Sequence, residues 1–407
     1  MVCGLLGETL KHSYSPQIHK CFADYHYNLF EIKHAELATF LREGNFTGLN
    51  VTMPYKKAVI PYCNELSSRA KEIGAVNTII KSSNGDLIGH NSDYYGFETL
   101  LKKSGLCVQN KKVLVLGSGG ASATVTAVLR AHFAIPVVIS RAGENNYQNL
   151  HLHKDAAIII NTTPVGMYPD TGMSPIDLEL FPKLEGVLDL IYNPGRTKLL
   201  MEAEKRNLIA MNGLWMLVAQ AKESAEWFLS HSLSNDLLES TYTALCHAMS
   251  NIILIGMPGC GKSTIGYHLA NLLGRRFYDS DLLIEEKIGM TPADIIMRFG
   301  EDYFREIERN ILQELGKESG LVIATGGGCV TLEQNYECLH QNGVIIWLQR
   351  DLSQLSTEGR PISQSTSLQH MYEARCALYD KFSDRTVLND ASPERVAVMI
   401  AQLEDGI

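Results

Sequence analysis

At 407 residues the chain is too long for one ordinary hydrophobic core, and at about 150 residues per domain two or three are expected. A formal net charge of -9, with no basic stripe to offset it, argues against a nucleic-acid partner, because a polyanion would be repelled. The longest apolar runs, such as 156–160, fall far short of a membrane span, and Met1 to Leu10 lacks the basic start and long apolar core of a secretion signal. The nine cysteines are scattered without a CxxC pair, so a cytoplasmic protein with free thiols, no zinc site and no membrane partner is expected.

In chain order, Val2 to Gly7 reads as a strand and Pro16 to Tyr25 as a helix. Ser13 and Ser15 stand just before that helix, where short hydroxyls usually act as caps. Gly48 to Lys56 (GLNVTMPYK) then places Asn50, Thr52 and the Lys56 cation around a Pro-bounded strand end. Residues 74–78 (GAVNT) and 89–96 (GHNSDYYG) add Asn77, Asn91 and Asp93 in glycine-flanked turns. Each segment alone is ordinary loop chemistry. Together they supply hydroxyls, amides, one amine and one carboxylate, a set able to hold a small polyhydroxylated acid and move a proton.

The rhythm changes at Lys111. Val113 to Leu116 is a parallel-type strand running into Gly117, Ser118, Gly119, Gly120, Ala121 and Ser122, with a small-residue helix over 123–132. The setting is that of a dinucleotide fingerprint, although the glycine spacing is not strict GxGxxG. The next strand, 135–139, ends at Ser140 and Arg141. An acidic residue there would hold an NAD ribose, whereas a guanidinium suits a 2′-phosphate, which favours NADP over NAD; the other reading is an exposed arginine. Further βα units follow at 156–161, 186–191 and 199–206.

Seven motifs in this order resemble the shikimate dehydrogenase family: Ser13 and Ser15 before Pro16, NVTMPYK at 50–56, GAVNT at 74–78, Asn91 with Asp93, GSGGAS at 117–122, NTTPVGM at 161–167 and NGLWMLVAQA at 212–221. The resemblance covers residues 1 to about 240. It implies a substrate domain at 1–98 and 214–247 and a Rossmann-like NADP-binding domain at 99–213. It further implies that Ser13, Ser15, Thr52, Asn77, Asn91, Asp93 and Gln220 bind shikimate and that Lys56 and Asp93 are the catalytic pair. Reduction of a ring ketone needs a hydride and a proton, and an ammonium beside a carboxylate can deliver the proton. The chain departs from the family at Ser92, where threonine is usual, at Trp215, where glycine is usual, and at Ser140-Arg141-Ala142. Trp215 is expected near the substrate and cofactor cleft, where it would alter which molecules enter.

Residues 222–249 hold helical patterns without a Pro- or Gly-rich linker. The apolar run 252–255 then leads into Gly256-Met257-Pro258-Gly259-Cys260-Gly261-Lys262-Ser263-Thr264, which fits GxxxxGKS/T, and an apolar-periodic helix follows. Strand, glycine-rich turn and helix are the context in which backbone N–H groups cradle phosphates, Lys262 reaches the outer phosphates and the Ser263 hydroxyl is placed for Mg²⁺. Downstream, Asp279 and Asp281 stand at a strand end, their side chains diverging if the segment stays extended and converging if it turns. Arg305 and Glu308 share a helical face. Gly326, Gly327 and Gly328 allow close backbone approach to a ligand, and the polar tract 353–369 around Arg360 reads as a mobile lid.

The set comprising the loop at 256–264, DSD at 279–281, FREIE at 304–308, GGG at 326–328, RPI at 360–362 and Arg375 resembles shikimate kinase over residues 250–407. By that resemblance Asp281, Arg305, Gly327, Gly328 and Arg375 hold shikimate, with the arginines on its carboxylate. Ser263 and Asp279 serve Mg²⁺, and Gly259, Cys260, Gly261, Ser263 and Thr264 the nucleotide. Lys262 and Arg360 stabilise the transferring phosphoryl group, while Asp281 positions or deprotonates the accepting hydroxyl. The lid is short and lacks an arginine usually found just before it, and Asp390 to Pro393 lacks an arginine that commonly stacks on adenine. Cys260, beside Lys262 at a helix N-terminus, could be a stabilised thiolate or simple packing.

The expected fold is thus α/β throughout: substrate domain, Rossmann-like NADP domain and a P-loop kinase domain with a parallel sheet. The expected function is bifunctional, in the shikimate pathway of aromatic amino acid biosynthesis: NADPH-dependent reduction of 3-dehydroshikimate, then ATP- and Mg²⁺-dependent phosphorylation of shikimate. Two alternatives stay open, a degenerate kinase domain that only binds ligand and regulates, and quinate as the dehydrogenase substrate. The sequence leaves oligomeric state open, a homodimer included.

Overall fold

In the computed structural model, which describes residues 1–10, 13–355 and 368–404, contacts divide the chain into two units. One is Met1–Gly166, Met173–Tyr192 and Leu199–Leu245; the other is Met167–Gly172, Asn193–Lys198 and Cys246–Ile407. No helix among the described residues is long and apolar enough to cross a membrane. All nine cysteines are free thiols, as expected.

The first unit holds two sheets. The N-terminal one comprises β1 (Val2–Gly7), β2 (His26–Glu31), β3 (Gly48–Val51), β4 (Glu65–Leu66), β5 (Thr78–Lys81) and β6 (Leu87–His90), in the order β2-β1-β3-β5-β6-β4. Its β3–β5 and β5–β6 pairs are antiparallel and its other pairs parallel. The second comprises β7 (Lys112–Leu116), β8 (Ile135–Ile139), β9 (Ile158–Asn161), β10 (Gly186–Asp189) and β11 (Ile209–Met211), all parallel, in the order β11-β10-β9-β7-β8. Val113 to Leu116 and Ile158 to Ile160 are wholly buried, as continuous apolar strands covered on both faces should be.

Two long helices, Asp93–Ser104 and Leu214–Leu229, pack against each other beside these sheets. Gly96 permits the approach, because a Cβ there would stand 2.7 Å from Met216 O and 2.9 Å from Gln220 Cβ. The boundary expected at residue 98 lies inside Asp93–Ser104, so one continuous helix carries the chain past it. The first helix is Ser15–Phe22, shorter than the expected span, with Pro16 in its first turn and the backbone extended at Ala23.

The second unit is a five-stranded parallel sheet of β12 (Asn251–Ile255), β13 (Arg276–Asp279), β14 (Leu321–Ala324), β15 (Gly343–Gln349) and β16 (Arg385–Leu388), in the order β13-β14-β12-β15-β16. The apolar β12, β14 and β15 form its buried centre. Chain connections leave β12 toward β13 and β14 on one side and reach β15 and β16 on the other. The carboxyl end of β12 is therefore a topological switch point, where open α/β sheets bind ligands.

Candidate active sites

The first site grows from the ends of β3 and β6. Lys56 follows β3 and Asp93 opens the helix Asp93–Ser104; Lys56 Nζ donates to Asp93 Oδ2 at 2.6 Å, with both side chains largely but not wholly buried. Backbone bonds place the neighbouring candidates: Val76 N donates to Lys56 O at 2.8 Å and Val51 N to Asn77 O at 2.7 Å. Asn91 donates Nδ2 to Ala75 O at 3.0 Å, and its Oδ1 is buried without a partner. A buried amide oxygen of this kind calls for a partner from solvent or from a ligand. Gln220 lies one turn along from Asp93 through Gly96, with Nε2 on Leu217 O at 2.9 Å.

Asn77 is more committed than the sequence implies. Its Oδ1 accepts from Ser92 N at 2.7 Å and from Thr78 Oγ1 at 3.1 Å, and its Nδ2 donates to Ser92 Oγ at 3.0 Å. Ser92, the departure from threonine, thus locks this amide instead of facing a ligand. The capping expected of the two serines falls to Ser13 alone. Tyr14 is the N-cap, without a side-chain bond, while Ser13 Oγ accepts from Ser15 N at 3.2 Å. Ser15 bonds Tyr27, whose hydroxyl donates to Asn50 Oδ1 at 2.8 Å, two residues before Thr52. Sequence reasoning noted Asn50 but missed Tyr27 and Tyr192, which meets Tyr14 edge-on at 6.0 Å. Nothing in the local spacing of either tyrosine separates it from packing.

Trp215 corrects the sequence expectation. It is buried, stacked on Tyr242 at 3.7 Å and 10°, with Lys103 Nζ 4.3 Å from its ring centroid, so it serves helix packing and not a cleft.

The dinucleotide-type loop lies at the end of β7. Gly117 adopts φ 103°, and a Cβ there would also meet Thr162 Oγ1 at 2.8 Å. Gly119 caps the helix Gly120–Ala131, and a Cβ on Gly119 or Gly120 would meet nothing within 4 Å. Open space over a bare helix N-terminus, with Ser118 and Ala121 alongside, fits a pyrophosphate. The Ser140 hydroxyl turns inward and donates to Ala142 O, while Arg141 is exposed near Tyr147.

In the second unit the phosphate loop takes its expected form. Gly256, Gly259 and Gly261 have positive φ, and Lys262 begins the helix Lys262–Leu273. Lys262 Nζ is buried and donates to Gly256 O at 2.9 Å and Met257 O at 3.0 Å. Cys260 is 1% exposed beneath the loop, which makes it a packing residue; Thr264 is exposed. The chain turns straight from β13 into the helix Ser280–Ile288, so the two acids do not diverge. Asp279 caps that helix through Oδ1, bonding Asp281 N at 3.0 Å, and accepts from the Ser263 hydroxyl through Oδ2.

Asp281 Oδ1 is buried with no partner. Burial first, then the charges of Glu308 and Asp279, raises its pKa to about 7 against the opposing pull of Lys262 and Arg305. The glycine run closes around it. Gly326 N donates to Ser280 Oγ at 3.0 Å, and a Cβ on Gly326 would stand 2.5 Å from Glu308 Oε1 and 2.9 Å from Asp281 Oδ1. A Cβ on Gly328 would overlap the Arg305 guanidinium. Arg305 is held by Glu308 at 2.8 Å and Glu301 at 2.7 Å, which leaves its buried Nε unpartnered. Gly327 O accepts from Arg375 Nη1 at 3.2 Å and from the Tyr379 hydroxyl. Glu308 is wholly buried, and burial raises its pKa; the sequence placed it on the Arg305 face without giving it a role. Arg360 lies outside the described residues.

Among the described residues no group of three or more His, Cys, Asp or Glu side chains could hold a metal. The Ser263 and Asp279 pair nevertheless fits Mg²⁺, which commonly binds through one or two protein oxygens plus water and phosphate.

Fold and sites together define an oxidoreductase of the nicotinamide type joined to a P-loop phosphotransferase. Residues 5–79 match the family model "Shikimate dehydrogenase substrate binding domain", and residues 258–404 match "Shikimate kinase". A shikimate dehydrogenase (NADP(+)) of Clostridium beijerinckii is 35% identical over 261 residues, spanning 59% of this chain and 96% of that protein. A chorismate mutase/shikimate 5-dehydrogenase fusion protein from Clostridium acetobutylicum superposes with TM-score 0.57 and 39% identity, over 60% of this chain and 96% of that one. The shikimate 5-dehydrogenase of Thermus thermophilus, solved in complex with NADP(H) and shikimate, gives TM-score 0.55 and 29% identity over 60% and 99%. The chain belongs to the shikimate dehydrogenase family, with a shikimate kinase domain following in the same polypeptide.

Proposed function

We propose that the chain reduces 3-dehydroshikimate to shikimate with NADPH and phosphorylates shikimate with ATP to shikimate 3-phosphate. The observation that carries the first half is the 2.6 Å Lys56–Asp93 pair beside the orphaned Asn91 Oδ1. The cofactor, when bound over Gly117 to Ala121 with Ser140 and Arg141 toward its 2′-phosphate, supplies the hydride. Lys56 gives its proton to the oxygen that becomes the hydroxyl. Asp93 holds the ammonium in place and accepts from a substrate hydroxyl. Ser13, Ser15, Thr52, Asn77, Asn91 and Gln220 surround the ring and its carboxylate.

In the second half Asp281 accepts the proton of the attacking hydroxyl. Lys262 exchanges its two carbonyl partners for phosphate oxygens, and Arg360 adds a second cation. Ser263 and Asp279 hold Mg²⁺. Arg375 and the free Nε of Arg305 face the substrate carboxylate, and Gly327 and Gly328 supply the close backbone wall. The domain limits proposed are 1–98 with 214–247, 99–213 and 250–407.

The test is one reaction with 3-dehydroshikimate, NADPH, ATP and Mg²⁺. NADPH oxidation should be followed by stoichiometric ADP formation, and Lys262→Ala should abolish the second signal and spare the first. NADPH oxidation without ADP formation in the unaltered chain would remove the kinase half.

A further inference from the structure

Strand order in the second unit fixes where the base of a phosphoryl donor must lie. β12 feeds the phosphate loop and is flanked by β14 and β13 on one side and by β15 and β16 on the other. Asp281 follows β13, and Gly326 to Gly328 follow β14, with Arg305 folded onto them. That side is taken by the acceptor. A nucleotide whose terminal phosphate meets the acceptor across the loop must therefore extend its base over the ends of β15 and β16.

Two side chains stand there against the loop. Asn389, directly after β16, is buried and donates Nδ2 to Cys260 O at 2.6 Å. Arg350, directly after β15, is exposed; a Cβ built on Gly261 would lie 3.9 Å from its Nη1 and 3.0 Å from Asn389 Nδ2. Neighbouring Asp351 does not neutralise Arg350. Its Oδ1 accepts from Ser353 N at 2.8 Å and from Ser353 Oγ at 2.6 Å. Among the described residues no hydrogen bond or ion pair engages Arg350. Its side chain is exposed, and among the described residues none neutralises it.

The phosphates already have the loop amides, the helix N-terminus and Lys262, whereas none of the residues so far assigned serves the base. We propose that Arg350 holds the purine of the phosphoryl donor, its guanidinium plane lying on the ring face; this deepens the kinase reading above and rests on it. The adenine-side arginine that the sequence lacks at 390–393 is thereby replaced from the end of β15. A guanidinium or aromatic stack on one base corresponds to about tenfold in affinity.

Binding of ADP and of inorganic tripolyphosphate to the full chain, measured by titration calorimetry, tests this. Arg350→Ala should weaken ADP about tenfold while leaving tripolyphosphate within about twofold, which reports an intact phosphate loop in the second unit, and should leave NADPH oxidation with 3-dehydroshikimate unchanged. Arg350→Lys keeps the charge without the plane and should weaken ADP as much as alanine does. Unchanged ADP affinity in Arg350→Ala would overturn the proposal. So would an equal loss of ADP and tripolyphosphate, or rescue by lysine, either of which would make Arg350 a phosphate contact. Failure of the unaltered chain to bind ADP would instead overturn the kinase reading itself.

Discussion

Asp281 is where burial and charge act most directly on chemistry. Its pKa, raised from 3.8 to about 7, leaves the carboxyl protonated in mild acid, where it cannot accept a proton from the substrate hydroxyl. Phosphorylation should therefore rise as pH passes through about 7 and level off above it, read as kcat for ADP formation at saturating ATP. Asp281→Asn should remove that acid limb together with most of the rate. Glu308→Gln takes away a charge that pushes the Asp281 pKa up, so it should move the limb to lower pH. An unmoved limb would mean that another group sets it. The same shift bears on stability with the opposite trend: the folded chain binds this proton more tightly than the unfolded one, so stability is lost as pH climbs from 3.8 to about 7.

At the scale of elements, the helix Leu214–Leu229 shows what a pattern of residues can and cannot reveal. The motif at 212–221 and the helical patterning from residue 222 were legible; that they form one helix was not. Which apolar residue faces which neighbour was not, because the helix is buried nearly all round and offers no polar stripe to orient it. Gln220 points toward Asp93–Ser104 as the motif implies, whereas Trp215, five residues away, turns to Tyr242 on the helix Asn235–Met249. Trp215→Ala should cost about 3–5 kcal/mol of stability in denaturant titration while leaving KM for 3-dehydroshikimate within about twofold. A large KM change at unaltered stability would return Trp215 to the cleft. The phosphate loop was legible for the converse reason. Its geometry is local, dictated by glycines at positive φ between a strand and a helix. The contacts that hold Gly326 on Ser280, or Tyr27 between Ser15 and Asn50, join residues distant in sequence, and no spacing rule announces them.

For the molecule as a whole, each described site is built from one unit alone: Lys56, Asp93 and their neighbours from the first, Lys262, Asp281, Arg305 and Arg375 from the second. Neither site borrows a described residue from the other unit. An equimolar mixture of Lys56→Ala and Lys262→Ala chains should therefore convert 3-dehydroshikimate to shikimate 3-phosphate, shikimate passing between chains through solution. Accumulation of shikimate without its phosphate would show that the second reaction draws only on product made within its own chain. That a second, parallel sheet begins in the first unit was legible in the change of rhythm at Lys111. Its exact seam was not, because the helix that begins at Asp93 runs on without a break in its apolar pattern.

That continuous helix has a mechanical consequence. Lys56 and Asp93 both sit on the side of the N-terminal sheet, and the chain crosses to the second sheet only after Gly105, at φ 69°, returning at Gly213. Flexing at those two crossings would swing the cofactor sheet relative to the N-terminal one without stretching the 2.6 Å contact between ammonium and carboxylate. On the proposed roles, such flexing would leave the proton donor where it is. It would alter only the approach of the hydride, so on the proposed roles the two halves of the reduction would answer to different parts of the protein: one to a fixed pair, the other to a wall able to move.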